Sequence, residues 1–133
     1  MSQENVEIVR RAYEALERDG LEALLDFFDP EIRWEVRPDL PDADTYQGHD
    51  GIRQLLGSFD EVLDESWYSP QEFLDSGDQV LVVLRWGGRG RGSGVAVEER
   101  EETWIFTLRD GKVLRVKEYV SKNEALEAAG LAD

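Results

Sequence analysis

Apolar positions change their period several times along the chain, and each change marks an element. Val6, Val9, Tyr13 and Leu16 fall on one helical face, with Ile8, Ala12 and Ala15 widening the stripe, which predicts an amphipathic first helix with Ser2 as its N-cap. Asp19-Gly20 ends it. Leu21, Leu24, Leu25 and Phe28 continue as a short second helix that Asp29-Pro30 should stop, because proline drives the residue before it out of the helical region. From Glu31 to Arg37 the period falls to two, placing Ile32, Trp34 and Val36 on one face of a strand and Arg33, Glu35 and Arg37 on the other. Residues 38–47, rich in Pro and Asp, read as a loop across the surface or over a pocket mouth.

After Gly48, Ile52, Leu55, Leu56, Phe59, Val62 and Leu63 give a third helix its buried face. Beyond it the chain turns to β structure: Ser66 to Asp75, Asp78 to about Arg89, about Val95 to Leu108, and Lys112 to Val120 are expected as consecutive antiparallel strands. Ser76-Gly77-Asp78 and Asp110-Gly111 supply turns that tolerate positive φ. Ser121 and Glu124 make a capping box for a last short helix, Asn123 to Ala129, closed by Gly130. Helices, one strand, a helix and a long meander define an α+β fold and exclude a doubly wound one. The strands between 78 and 108 are long for a flat sheet, so a strongly curved, mainly antiparallel sheet should wrap around the three preceding helices and leave a pocket on its concave side.

Composition sharpens this. With 133 residues the chain has the length of a single domain, read here as 1–133, and 41% hydrophobic residues argue that it folds. A formal charge of -15 makes nucleic acid and anionic membranes poor partners. With no Cys and one His, disulfides, thiolate chemistry and His-rich or Cys-based metal sites drop out, and no metal or cofactor is expected. The start MSQENVEIVRR lacks the order of a signal peptide and no apolar run is long enough for a membrane helix, so a cytoplasmic protein is expected.

Three stretches, EIVRRAYEALERDGLEALLDFFDPEIRWEV, YQGHDGIRQLLGSF and TWIFTLRDGKVLRVKEYVSKNEALEAAGL, taken in this order and spacing, resemble the nuclear transport factor 2-like superfamily. Within it they resemble the SnoaL-like group related to polyketide cyclases and ketosteroid isomerases, over nearly the whole chain. The resemblance implies a cone-shaped α+β barrel with a mixed sheet, commonly dimeric, around a cavity for a small, mostly apolar molecule. It implies no single chemistry. The isomerase residues do not carry over: the oxyanion Tyr aligns with Ala12, next to Tyr13, the general-base Asp with Val36, and the protonated Asp with Trp104.

On the last strand Leu114, Val116, Glu118 and Val120 alternate with Val113, Arg115, Lys117 and Tyr119. By the family alignment the first set faces the cavity, where desolvation would raise the pKa of Glu118 toward that of a general acid or base; the competing reading is a structural ion pair with an arginine. Stepping back by twos from Trp104 puts Glu102, Arg100 and Glu98 on one face. Arg100, Glu102 and Glu118 then resemble the Asp-Arg-Asp set of limonene-type epoxide hydrolases, unless the acidic run is simply a solvated face. Trp34 and Trp104, with Val36, Val116, Val120 and Tyr13, are candidate ligand walls or ordinary core. His49 opens the third helix and reads as structural, and the glycines at 87–94 as a flexible hairpin tip. Two functions stay open: a cofactor-free acid-base enzyme (isomerase, cyclase or hydrolase) on a small apolar or polycyclic substrate, or a non-catalytic ligand-binding or dimerisation module. A homodimer is expected through the convex sheet face carrying Val113, Tyr119, Thr103, Ile105 and Thr107.

Overall fold

Val6, Val9, Ala12 and Ala15 are buried along α1 (Ser2–Asp19), which already includes Ser2, the expected cap. The structure, a computed structural model, describes residues 2–37 and 45–131. Gly20, at φ 89, breaks the helix before α2 (Leu21–Leu25). This second helix stops earlier than the apolar spacing predicts, since Phe28 already begins strand β1 (Phe28–Glu35). Pro30 lies inside that strand without cost to the ladder, because the pairing with β6 is irregular between Phe28 and Arg33 and so asks no N–H of the proline.

The expected loop gives up its last residues to β2 (Thr45–Gln47), antiparallel to β1; residues 38–44, and the pocket-mouth reading attached to them, lie outside the described residues. Then α3 (Gly48–Val62) buries Ile52 and Leu55. Four strands follow: β3 (Leu63–Ser76), β4 (Gln79–Gly90), β5 (Ala96–Arg109) and β6 (Lys112–Tyr119). The turns take the positive φ their residues allow, 69° at Gly77 and 53° at Asp110. The sheet order is β2-β1-β6-β5-β4-β3, and β1 runs parallel to β6 while the other pairs are antiparallel. This mixed sheet is open and curved as the wall of a cone. Ser121 Oγ accepts the Glu124 N–H at 3.2 Å and starts α4 (Lys122–Ala128).

On the concave side Val80, Val82 and Leu84 of β4, Trp104, Phe106 and Leu108 of β5, and Val113 and Val116 of β6 meet the buried faces of α1 and α3. Three expectations change. The β5–β6 register shifts between Thr107 and Leu108, so alternation fails at Leu114, and Val113 belongs to the main core instead of the convex face. That convex face is not bare: Leu81 and Ile105 pack under Ala125 of α4, flanked by Leu74, Tyr119 and Leu126, while Thr103 is buried. The surface that argued for self-association is thus largely covered by the chain's own last helix. Finally, Gly87 and Gly88 are strand residues, not tip. The β4–β5 register shifts there, and a Cβ on Gly87 would come within 3.0 Å of the Trp67 ring, so close packing, not flexibility, calls for that glycine. Among the described residues no helix is long and apolar enough to cross a membrane.

Candidate functional site

Antiparallel pairing sets Glu118 of β6 directly opposite Trp104 of β5, and parallel pairing sets Trp34 of β1 beside Val116. These alternations turn Trp34, Trp104 and Glu118 to the concave side. Glu118 is only 7% exposed there, and its Oε2 accepts the Trp34 indole N–H at 2.7 Å. Its Oε1 meets the Arg37 backbone N–H at a long 3.4 Å, which leaves that oxygen lightly held. Burial pushes the Glu118 carboxyl up to about 7; the Trp34 bond opposes this, the nearby Glu102 charge adds to it, and the Arg37 N–H and charge offset it in part.

Glu102, two residues before Trp104 on β5, is held by three donors. Arg37 Nη1 donates to Oε2 at 3.0 Å, Trp86 Nε1 to the same oxygen at 2.7 Å, and Trp104 Nε1 to Oε1 at 2.9 Å. Arg37 and Glu102 are both almost fully buried, so this is a desolvated ion pair whose remaining lone pairs are satisfied by indoles. Trp34 and Trp104 meet edge to face, with centroids 5.2 Å apart. Their two indoles therefore divide their N–H groups between the two carboxyls while their rings stiffen one another.

These groups enclose a cavity of about 290 Å³ whose lining also includes Val36, Leu55, Leu56, Tyr68 and Arg100. Beneath it an apolar recess is bounded by Tyr13, Phe28, Leu56, Tyr68 and Phe106. Tyr13 is half-buried as a whole, but its hydroxyl oxygen is shut off from solvent and has no hydrogen-bond partner among the described residues. Burial first, then the charges of Tyr68, Glu118 and Glu102, hold its pKa well above the ordinary phenol value, so it is a donor and not a base.

Of the residues singled out from sequence, Glu118, Glu102, Arg100, Trp34, Trp104 and Val36 line this one cavity, and Tyr13 lies in the recess below it. Val116 is instead fully buried core. Val120 is 39% exposed beyond the end of β6 and lines none of the described cavities, because the strand stops at Tyr119. Arg100 makes no contact of hydrogen-bond or ion-pair length with either carboxyl; the arginine of the set is Arg37. Alternation had placed Arg37 on the outer face, but β1 ends at Glu35 and the next two residues leave the pleat, turning both Val36 and Arg37 to the cavity. Trp86 was legible in Val80, Val82, Leu84 and Trp86, which share the inner period of β4. His49 is structural in its contacts: its Nε2–H donates to the Phe28 carbonyl at 2.9 Å and ties α3 to β1. No cluster of metal-ligating side chains occurs among the described residues.

The family model of the SnoaL-like domain matches residues 9–116. The chain belongs to the SnoaL-like domain family. An NTF2-like protein from Burkholderia xenovorans shares 32% identity, with 97% of each chain covered and a TM-score of 0.71. TerC, crystallised with polyporic acid, shares the fold at TM-score 0.76 and 23% identity, covering 96% of this chain and 98% of its own. So does a protein with a ketosteroid isomerase-like fold from Catenulispora acidiphila, solved in complex with trimethylamine, at TM-score 0.74 and 18% identity, covering 94% of this chain and 93% of its own. No curated protein matches the chain in sequence. The SnoaL-like match covers both arms of the site on β1 and β5 but ends at Val116, two residues short of Glu118.

Proposed function

We propose that this SnoaL-like chain is a cofactor-free acid-base enzyme in which Glu118 moves a proton on a small, mostly apolar ring compound held against Trp34 and Trp104. The observation that carries the reading is a buried carboxyl opening on a cavity of about 290 Å³, with one oxygen bonded to Trp34 and the other lightly held. Its pKa of about 7 populates both protonation states near neutrality, which a group that must take and return a proton requires. In the ionised form Oε1 would take a proton from a carbon beside a carbonyl, or from water beside an electrophilic carbon; the acid so formed returns it to another atom of the substrate. Arg37 and Glu102 hold the surrounding indoles in place. Neighbours that share the fold and were crystallised with small molecules support a cavity of this kind.

A second reading, a ligand-binding module without chemistry, draws on the saturation of Glu102, whose three donors make it a fixed part of a rigid wall. Deuterium incorporation separates the two. Wild-type protein incubated in D2O with 2-tetralone and related aryl ketones should exchange the protons beside the carbonyl at least roughly a hundredfold faster than Glu118→Gln, which keeps the binding. Binding without Glu118-dependent exchange across the panel would favour the binding module.

A further inference from the structure

Arg100 is the charged group of the cavity to which the proton chemistry gives no task. It pairs with Trp86 across the β4–β5 ladder and shares the inner face of β5 with Glu102 and Trp104, so it reaches the same cavity, at its exposed mouth. There it has no hydrogen bond or ion pair with any described residue. In this chain of 30 acidic and 15 basic residues Arg37, Arg53, Arg109 and Arg115 all hold carboxylates, whereas Arg100 lines a cavity and holds none among the described residues. Among the described residues the charged ones that line the cavity are Arg37, Arg100, Glu102 and Glu118, and Arg37 is taken up by Glu102. When Glu118 is protonated, the described lining residues therefore leave one positive charge uncompensated among themselves, that of the exposed Arg100, in a molecule of formal charge -15.

We propose that Arg100 anchors an anionic group of the ligand, so that the cavity takes planar aryl acids with the carboxylate or acidic phenolate at Arg100 and the ring system against the wall that Trp34 and Trp104 form. The proposal rests on the cavity being the ligand site and names the class of compound it takes. A guanidinium suits the task because its fork of donors meets a carboxylate through two parallel hydrogen bonds, and its position at the mouth spares it full desolvation. The neutral form of Glu118 removes the repulsion an incoming anion would otherwise meet inside.

Matched acids and primary amides test it: 2-naphthoate against 2-naphthamide, and biphenyl-4-carboxylate against its amide, titrated calorimetrically at about pH 6, where aryl acids are ionised and Glu118 is largely protonated. Wild-type protein should prefer each acid by about tenfold, the size of a partly screened charge-assisted contact. Arg100→Gln should erase that preference while leaving amide affinity unchanged, Arg100→Lys should restore part of it, and added salt should weaken the acids alone. Equal affinities in the wild type, a preference that survives in Arg100→Gln, or no binding of either member by about 1 mM would overturn the anchor. Deuterium exchange is read separately: equal affinities for acid and amide in the wild type with exchange intact remove only the anchor, and an Arg100-dependent acid preference without Glu118-dependent exchange removes only the proton chemistry.

Discussion

Glu118 and Glu102 share one cavity and differ in their donors: a single indole and one long backbone contact for the first, an arginine and two indoles for the second. The first carboxyl keeps a lightly held oxygen for a ligand; the second has both oxygens engaged. Because the folded pKa of Glu118 is about 7, against 4.5 for an unperturbed carboxyl, the unfolded state ionises first as pH rises. The stability Glu118 contributes is therefore fully present below about pH 4.5 and is lost as pH climbs through about 7. Glu118→Gln should lack this component, so wild type minus variant should fall by up to roughly 3 kcal/mol between pH 4 and 8 in chemical denaturation. Identical profiles would mean a solvated carboxyl. Arg37→Met strands the buried Glu102 charge and should cost about 3 to 5 kcal/mol, read as a drop in thermal midpoint of more than about 10 °C. It also removes a positive charge that lowers the Glu118 pKa, so in any folded fraction Glu118 should titrate higher than in the wild type. Glu118 was legible in sequence because one carboxyl interrupted an apolar alternation. Arg37 was not, because period-two reasoning continues a strand past its real end.

Elements whose ends carry chemistry were the most legible. The Ser121 and Glu124 cap, the Gly77 and Asp110 turns, and strands β4 to β6 stand within a residue or two of where polarity and turn residues put them. What local pattern does not encode is partnership. The parallel pairing of β1 with β6, the bulge that returns Val113 to the core, and the covering of Leu81 and Ile105 by α4 are all contacts distant in sequence. Ser121→Ala tests the element that closes the outer face. Losing the cap should cost about 1 kcal/mol, a few degrees in thermal midpoint, with the titration of Glu118 unchanged because α4 lies on the opposite side of the sheet. A shift in that titration would mean that the two faces are coupled through β5 and β6.

For the whole molecule, a chain of formal charge -15 surrounds a cavity whose described charged residues, two arginines and two glutamates, balance when all are ionised. Such a field favours protonation of a buried carboxyl and works in the same direction as its desolvation. The most direct test of the account is the pH titration of the Glu118 side-chain carboxyl carbon by NMR, assigned by the signal missing from Glu118→Gln. A midpoint near 7 is the predicted result, whereas a midpoint near 4.5 would contradict the account and leave the cavity without its acid-base group.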